Sequence, residues 1–145
     1  MKDIVCIDID GTLSDHSHRK EFVETKPKNW EKFFEGMDKD PLNKWCWELM
    51  TAMSSAGFKI ILLTGRPDKY REVTEKWLEE YDVPYDKLIM RKEGDHRDDT
   101  IVKKELIEEN FLKGQILFVV DDRSRVCEMY RDLGLTCLQC APGNY

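Results

Sequence analysis

The sequence predicts an α/β fold in which about five parallel strands form one sheet with helices on both faces. Short apolar segments rich in β-branched residues alternate along the chain with longer segments whose apolar residues recur at helical spacing. Strands joined through helices pair in parallel, because only a long crossover returns the chain to the same end of the sheet. A length of 145 residues is typical of one domain with its own core, so we expect residues 1–145 to form a single domain.

Composition excludes several classes of protein. With 41% hydrophobic and 36% charged residues, the chain has the composition of a soluble globular protein and not of a disordered one. It lacks an amino-terminal signal pattern, its first apolar run is too short to span a membrane, and its five cysteines are an odd number scattered along the chain. We therefore expect a cytoplasmic protein with reduced thiols and no membrane partner. The net charge of −6 argues against a broad basic face for nucleic acid but leaves a local basic groove open.

The first predicted strand begins at Asp3 and leads into a short acidic segment. Asp8 and Asp10 end the apolar run, and Gly11 and Thr12 follow them. Residues two apart in a strand point to the same face, so the two carboxylates can converge on one spot if the extended conformation persists. Buried carboxylates are costly without a compensating charge. The segment indicates a metal, a shared proton or a catalytic role; the alternative is a solvated turn, for which Asp and Gly are ordinary residues.

The elements that follow are a short helix and then a longer one. Residues 29–36 have the pattern of a short amphipathic helix that ends at its glycine, and we interpret its aromatic side chains as packing residues and not as a platform for bases. Asp40 followed by Pro41 predicts the start of the next helix, which continues to Gly57.

The remaining elements alternate in type as the fold requires. Further strands are predicted over 58–63, 87–90, 115–120 and 135–139, and helices over 67–81, 101–107 and 126–133, with a dense polar loop over 91–99.

Polar side chains that could bind a ligand or take part in catalysis follow three of these strands. They are Asp8 with Asp10, Thr64 with Arg66, and Asp121 with Asp122. Ligands of parallel α/β sheets bind beyond the carboxyl ends of the strands, so we expect these residues to form one site. Four carboxylates gathered there would repel one another, and a hard cation such as Mg²⁺, which prefers oxygen ligands, would remove the conflict. Zinc is not expected, because no cluster of cysteine and histidine accompanies them.

The Asp-x-Asp-Gly-Thr sequence after a first strand resembles the signature of the haloacid dehalogenase (HAD) superfamily of phosphotransferases. The resemblance implies a Rossmann-like three-layer HAD fold with a small cap or flap formed by residues 14–40. It implies that Asp8 attacks the phosphorus of a phosphomonoester and forms an aspartyl-phosphate. Asp10 would protonate the leaving oxygen and then take a proton from water. Thr64 would hydrogen-bond the phosphoryl oxygens.

The same resemblance implies Mg²⁺ as the cofactor and assigns its ligands. They are Asp8, Asp10, Asp121 and Asp122. Asp10 would use its backbone carbonyl; Asp122 is interpreted as the direct ligand and Asp121 as the supporting acid, with their order left open. Lys103 fits the lysine that pairs with the phosphate and with Asp8, although spacing alone does not choose between Lys103 and Lys104.

A closer resemblance, to the phosphatase domains of the phage polynucleotide kinase/phosphatase family, extends over nearly the whole chain. It is carried by Gly94-Asp95-His96-Arg97, Val102-Lys103, Val120-Asp121-Asp122-Arg123, Glu128-Met129-Tyr130 and Gly143-Asn144-Tyr145. In that family arginines around the site help to bind the 3'-phosphate of a nucleic acid. The resemblance therefore implies substrate binding by Gly65, Arg66, Arg91 and Arg123, against the alternative of surface salt bridges for the arginines.

The function implied is that of a polynucleotide 3'-phosphatase that heals nucleic-acid ends. A HAD phosphatase for free nucleotides or another small phosphomonoester is the first alternative, and a non-catalytic phosphate- or metal-binding module is the second. The sequence has no G-x-x-x-x-G-K-[ST] segment, so we expect a kinase, like a ligase, to be a separate partner. DNA against RNA as substrate, and the oligomeric state, stay open.

Overall fold

The structure, a computed structural model that describes residues 1–111 and 113–145, is built on one sheet of five parallel strands. The strands are β1 (Ile4–Ile7), β2 (Lys59–Pro67), β3 (Lys87–Arg91), β4 (Ile116–Asp121) and β5 (Cys137–Gln139). Their order across the sheet is β3-β2-β1-β4-β5, which places β1 at the centre. The predicted α/β class is confirmed, and the strand that carries the acidic segment is the innermost one.

Helices connect the strands and cover both faces of the sheet. They are α1 (Glu21–Glu24), α2 (Trp30–Glu35), α3 (Lys44–Ser55), α4 (Arg71–Glu80), α5 (Asp99–Asn110) and α6 (Ser124–Asp132). Alternate residues of β1 enter opposite cores: Val5 and Ile7 pack with α3 and α4, whereas Ile4 and Cys6 pack with α5 and α6. This alternation explains why the strand is an uninterrupted apolar run, since both of its faces are buried.

The segment between β1 and α3 contains the predicted short helix. It is α2, where the Asn29 side chain caps the helix by accepting a hydrogen bond from the Lys32 backbone N–H at 3.1 Å, and Gly36 follows the last helical residue. Phe33 of this helix is buried, as a packing residue should be. Two short 3-10 turns, Ser17–Arg19 and Met37–Lys39, flank the pair of helices α1 and α2.

The prediction that Asp40 begins the next helix is wrong. Helix α3 begins at Lys44, after Asn43. The Asp40 carboxylate is buried and accepts hydrogen bonds from Arg19, so it is not available to cap a helix. An ion pair with a buried guanidinium outweighs a local capping preference.

Strand β2 and the helix that follows it also differ in their boundaries from the sequence prediction. Strand β2 continues past residue 63 to Pro67, with an irregular register to β3 between Thr64 and Pro67. The helix predicted from residue 67 begins instead at Arg71, after a 3-10 turn.

The chain leaves the extended conformation directly after β1. The Ile9 carbonyl accepts hydrogen bonds from the backbone N–H groups of Thr12 (3.0 Å) and Ser14 (2.9 Å), which closes a tight turn. Gly11 within this turn has φ +82°, and a Cβ there would collide with the Asp122 carboxylate. The first and second halves of the chain therefore meet at this glycine.

All five cysteines are free thiols. In the part of the chain that the structure describes, the helices are too short or too polar to cross a membrane.

Candidate active site

A cavity of about 650 Å³ opens at the carboxyl-terminal edge of the sheet. Its lining includes Asp8 after β1, Gly65 in β2 and Lys103 of α5, together with Arg91 and Arg123. The residues that the sequence placed after different strands therefore meet around one space, as expected at the carboxyl ends of parallel strands.

Three carboxylates lie close to one another beside this cavity, and that of Asp8 lines it. Asp8, Asp121 and Asp122 are all buried, and each offers one oxygen within 4.8 Å of the others. Burial and the neighbouring Asp121 charge raise the pKa of Asp8 well above its usual range. The same two causes raise the pKa of Asp122 to about 7. Both raised pKa values mean that burial and repulsion disfavour the ionised carboxylates. A bound cation would stabilise these ionised forms, so the cluster favours one.

Lys103 is the ammonium group that faces this cluster. Its Nζ donates to Asp8 Oδ1 at 3.0 Å and to Asp121 Oδ2 at 2.7 Å. Burial lowers the pKa of Lys103, but the charges of Asp121 and Asp8 outweigh burial and raise that pKa well above its ordinary value. Lys104 is exposed. Of the two lysines that spacing left open, Lys103 is the one that contacts the predicted nucleophile.

The oxygens of the cluster are occupied unequally. Asp121 Oδ1 accepts from the backbone N–H groups of Asp122 (2.8 Å) and Arg123 (3.2 Å), and its Oδ2 binds Lys103. Asp122 Oδ2 accepts from the Tyr145 hydroxyl at 2.8 Å. Asp122 Oδ1 is buried and, among the described residues, has no hydrogen-bond partner.

This donor set fits Mg²⁺. It consists of carboxylate oxygens, carries more negative charge than one lysine balances, and contains an orphaned buried oxygen on Asp122. A hard divalent cation satisfies all three features, because it prefers oxygen ligands and supplies the missing positive charge. Asp122 is the one of the two adjacent acids with an unpartnered oxygen among the described residues, and its direct ligation of a metal, with Asp121 in support, stays a prediction.

Asp10 does not join the carboxylate cluster that the sequence predicted. Its carboxylate binds Arg66, through Nε at 3.1 Å and Nη2 at 2.8 Å, and also binds Arg19. Although burial favours the protonated form, the Arg66 and Arg19 charges hold the pKa of Asp10 well below its usual range. The turn at Ile9 is the physical reason, since it separates the directions of the Asp8 and Asp10 side chains. Ligation of a metal by the Asp10 backbone carbonyl stays a prediction.

Arg19 and Asp40 support Asp10 from behind, and the sequence reasoning missed both. Arg19 is almost completely buried, donates to Asp40 Oδ1 through Nε at 2.8 Å, and stacks over the Phe33 ring at 4.4 Å. His18 Nε2 lies 2.7 Å from Asp40 Oδ1. No periodic sequence pattern predicts the ion pair of Arg19 with Asp40, because the two residues are 21 positions apart.

Asp99 is a further residue that the sequence reasoning missed. Its Oδ1 accepts from Arg91 Nη2 at 3.1 Å, and its Oδ2 accepts from Arg123 Nη1 at 3.2 Å and lies 3.5 Å from Lys103 Nζ. Burial raises the pKa of Asp99, but the Lys103, Arg123 and Arg91 charges outweigh it and lower that pKa. The adjacent acids Asp98 and Asp99, just before the helix predicted over 101–107, were the available signal.

The predicted substrate-binding residues occupy two different settings. Arg66 is buried behind Asp10, and its Nη1 donates to Thr74 at 3.0 Å. Arg91 and Arg123 line the cavity. Gly65 also lines it, and a Cβ at Gly65 would collide with the Asp99 carboxylate.

Thr64 is fully buried at the end of β2, and its Oγ1 accepts from the Arg66 backbone N–H at 3.1 Å. Its contact with a phosphoryl group stays a prediction.

Comparison with known proteins identifies one family over nearly the whole chain. A family model described as the polynucleotide kinase PNKP phosphatase domain matches residues 2–145. Two solved structures of Pnkp1/Rnl/Hen1 complexes, one of them described as an RNA repair complex, contain chains 37% identical to this one with TM-scores of 0.79 and 0.84. These matches cover 98% and 100% of this chain but 43% and 48% of the solved chains, so this chain spans less than half of their length.

More distant structures share the fold. The class C acid phosphatase from Bacillus anthracis is 15% identical, with a TM-score of 0.67 over 99% of this chain and 67% of its own.

Proposed function

Since the chain belongs to the family of polynucleotide kinase PNKP phosphatase domains and is a HAD-type phosphatase, we propose that it is a Mg²⁺-dependent polynucleotide 3'-phosphatase that acts in nucleic-acid end healing. The observation that carries the proposal is the contact of Lys103 with Asp8, which both line an open cavity, close to the orphaned oxygen of Asp122. This arrangement combines a carboxylate nucleophile, a cation for the phosphate and a vacant metal-ligand oxygen.

The proposed metal ligands are Asp8, Asp122 and the Asp10 carbonyl, with Asp121 in support. When bound, Mg²⁺ supplies positive charge that neutralises the nucleophile and the phosphate, so that the two can approach each other. Lys103 holds Asp8 Oδ1, and the Thr12 hydroxyl donates to Asp8 Oδ2 at 3.2 Å. Together these two donors fix the orientation of the nucleophile.

In the proposed reaction, an oxygen of Asp8 forms a bond to phosphorus while the bond from phosphorus to the ester oxygen breaks. Asp10 gives its proton to the departing oxygen and later takes one from the water that hydrolyses the aspartyl-phosphate. Arg19 and Arg66 favour ionised Asp10, which is the form that accepts a proton. The donor step requires the protonated form, and the negative charge of an entering phosphate shifts Asp10 in that direction.

The proposed substrate is the 3'-phosphorylated end of a nucleic acid. Arg91 and Arg123 line the cavity together with the basic side chains Lys28 and Arg125, which suits a phosphate-bearing chain. We further propose that residues 14–40 form a small cap over the site of a single domain, because Trp30, Phe33 and Phe34 from this segment line the same cavity. A kinase and a ligase are proposed as partners, since the similar chains come from Pnkp1/Rnl/Hen1 complexes.

The decisive experiment measures phosphate release from a 3'-phosphorylated oligonucleotide with and without Mg²⁺. A 5'-phosphorylated oligonucleotide, a 3'-mononucleotide and an aryl phosphate are compared in the same assay. We expect metal-dependent release that is selective for the 3'-phosphorylated oligonucleotide. Equal activity on the mononucleotide or the aryl phosphate would instead support a small-molecule phosphatase, which a cavity of about 650 Å³ also accommodates.

A further inference from the structure

One side of the active-site cavity is aromatic. Trp30 and Phe34 of α2 are stacked with ring centroids 6.1 Å apart and an interplanar angle of 26°. The Phe34 ring continues to Tyr70, with centroids 5.3 Å apart. All three line the cavity that also contains Asp8 and Lys103. We call Trp30, Phe34 and Tyr70 the aromatic wall.

A packing role accounts for Phe33, which lies next to the aromatic wall, but it does not account for the wall itself. Phe33 is 2% exposed and covers Arg19, which is a structural task. Trp30 is 39% exposed, and Phe34 and Tyr70 are half-buried. A single exposed aromatic residue is ordinary, as Trp45 on α3 illustrates at 47% exposure. Three adjacent aromatic rings around a catalytic cavity are a different observation, because together they offer apolar area to a ligand.

Basic side chains bracket the wall. Lys28 Nζ lies 5.6 Å from the Trp30 ring centroid, and Arg123 Cζ lies 5.8 Å from that centroid. Lys69 Nζ lies 5.1 Å from the Tyr70 ring centroid. Aromatic faces interleaved with cations are how proteins hold single-stranded nucleic acid, since bases stack on the rings and phosphates meet the cations. Cations thus lie beside the wall in a protein whose net charge is −6, although acidic side chains line the same cavity.

Arg123 connects the wall with the site of the chemistry. It approaches Trp30 on one side and binds Asp99 on the other, and Asp99 in turn lies 3.5 Å from Lys103. Only a few side chains therefore separate the Trp30 ring from Asp8. A ligand that contacts both the Trp30 ring and Asp8 would lie within this one cavity.

We propose that the aromatic wall stacks the base of the nucleotide whose 3'-phosphate is removed. This inference rests on the proposed 3'-phosphatase function and adds a specificity-determining subsite to it. Trp30 has the most exposed ring and therefore contributes most. The enzyme would select a base-bearing nucleic-acid end over a phosphate ester without a base.

The test compares two 3'-phosphorylated oligonucleotides that differ only in the terminal nucleotide, which carries a base in one and is abasic in the other. The readout is the ratio of their kcat/KM values, because a ratio is insensitive to the amount of folded enzyme. We expect a ratio of about ten for the wild type, about one for Trp30→Ala and an intermediate ratio for Phe34→Leu. Trp30→Phe, which keeps an aromatic face, should retain most of the preference, and the loss in Trp30→Ala should lie mainly in KM.

Trp45→Ala is the matched control, since it removes an equally exposed tryptophan from α3. An unchanged ratio in Trp30→Ala, or an equal loss in Trp45→Ala, would overturn the aromatic subsite while leaving the 3'-phosphatase proposal intact. Failure of the wild type to release phosphate from either oligonucleotide would overturn the proposed function itself. The two failures are therefore distinguishable within one experiment.

Discussion

Asp8 and Asp10 are two residues apart in the sequence, yet their carboxylates lie in opposite electrostatic surroundings. Around Asp8, the three carboxylates of Asp8, Asp121 and Asp122 face one ammonium group, that of Lys103. We call these four residues the anionic half of the site. Around Asp10, two carboxylates face two guanidinium groups; Asp10, Asp40, Arg19 and Arg66 are the paired half.

The two halves of the site therefore differ in whether they need an added positive charge to be stable. The anionic half gains from an added cation, because burial and repulsion raise the pKa values of Asp8 and Asp122. The paired half already has its counter-charges, and the pKa of Asp10 is lowered accordingly. Removing a carboxylate should therefore relieve the first half and damage the second.

The largest expected effect comes from Asp8→Asn. Without the nucleophilic carboxylate, kcat should fall by more than about a thousandfold, since an amide is a far weaker nucleophile. The metal-free variant should nevertheless unfold at a Tm at least equal to that of the wild type, because one of three repelling carboxylates is gone. Phosphate release and thermal unfolding in EDTA check the two parts, and retained turnover would remove Asp8 from the mechanism.

Asp10→Asn should have the opposite effect on stability. It leaves Arg19 and Arg66 buried with one carboxylate fewer, and we expect a loss of about 3 kcal/mol in the free energy of unfolding. The sign follows from the lowered pKa: the contribution of Asp10 is present above the usual aspartate pKa of about 4 and fades as the pH falls through the lower folded value. Urea unfolding at neutral pH measures it.

The surface pair of Asp95 and Arg97, whose side chains are 20% and 48% exposed, offers a control for this measurement. Asp95→Asn should leave the urea midpoint nearly unchanged, because exposed ion pairs contribute little. Equal stability of Asp10→Asn and wild type would show that the paired half is not the structural support described here.

Addition of Mg²⁺ should sharpen the contrast between the halves. At a concentration about one hundred times Kd, binding stabilises the folded wild type by about 2.7 kcal/mol. Asp122→Asn should lose most of this gain, since it replaces the oxygen that lacks a partner. Thermal shift against Mg²⁺ concentration provides the measurement, and an undiminished shift in Asp122→Asn would exclude this residue as a direct ligand.

The smallest effect is expected from Tyr145→Phe. The Tyr145 hydroxyl holds Asp122 Oδ2 and thereby restrains a carboxylate whose other oxygen has no partner among the described residues. Its loss should weaken Mg²⁺ binding about tenfold and leave kcat at saturating Mg²⁺ near the wild-type value. A magnesium titration of Tm checks the binding; Tyr81→Phe, at an exposed position, is the control. No change in Mg²⁺ affinity would assign Tyr145 a purely structural role.

The sequence predicted the architecture because apolar strands and amphipathic helices have distinct periods. It also placed Asp8, Asp121 and Asp122 at one edge of the sheet, since each follows a parallel strand. It did not predict the separation of Asp10, because the turn at Ile9 depends on contacts that an i, i+2 rule does not contain.

The ion pairs behind the site were equally invisible in the sequence. Arg19 reaches Asp40 across 21 positions, and Arg66 reaches Asp10 across 56. Such pairs depend on tertiary proximity alone and leave no periodic signal. The prediction of a helix start at Asp40 was wrong for the same reason, because the Asp40 carboxylate binds Arg19 instead of capping a helix.

The contact between His16 and Tyr145 has a consequence for the order in which parts of the molecule fold. The Tyr145 hydroxyl lies 3.0 Å from His16 Nε2, and these residues are 129 positions apart. Closing so long a loop is entropically costly, and contacts of this kind form late in folding. Most of the sheet can therefore form before Asp122 acquires its tyrosine, and full affinity for Mg²⁺ should appear only after the strands have paired.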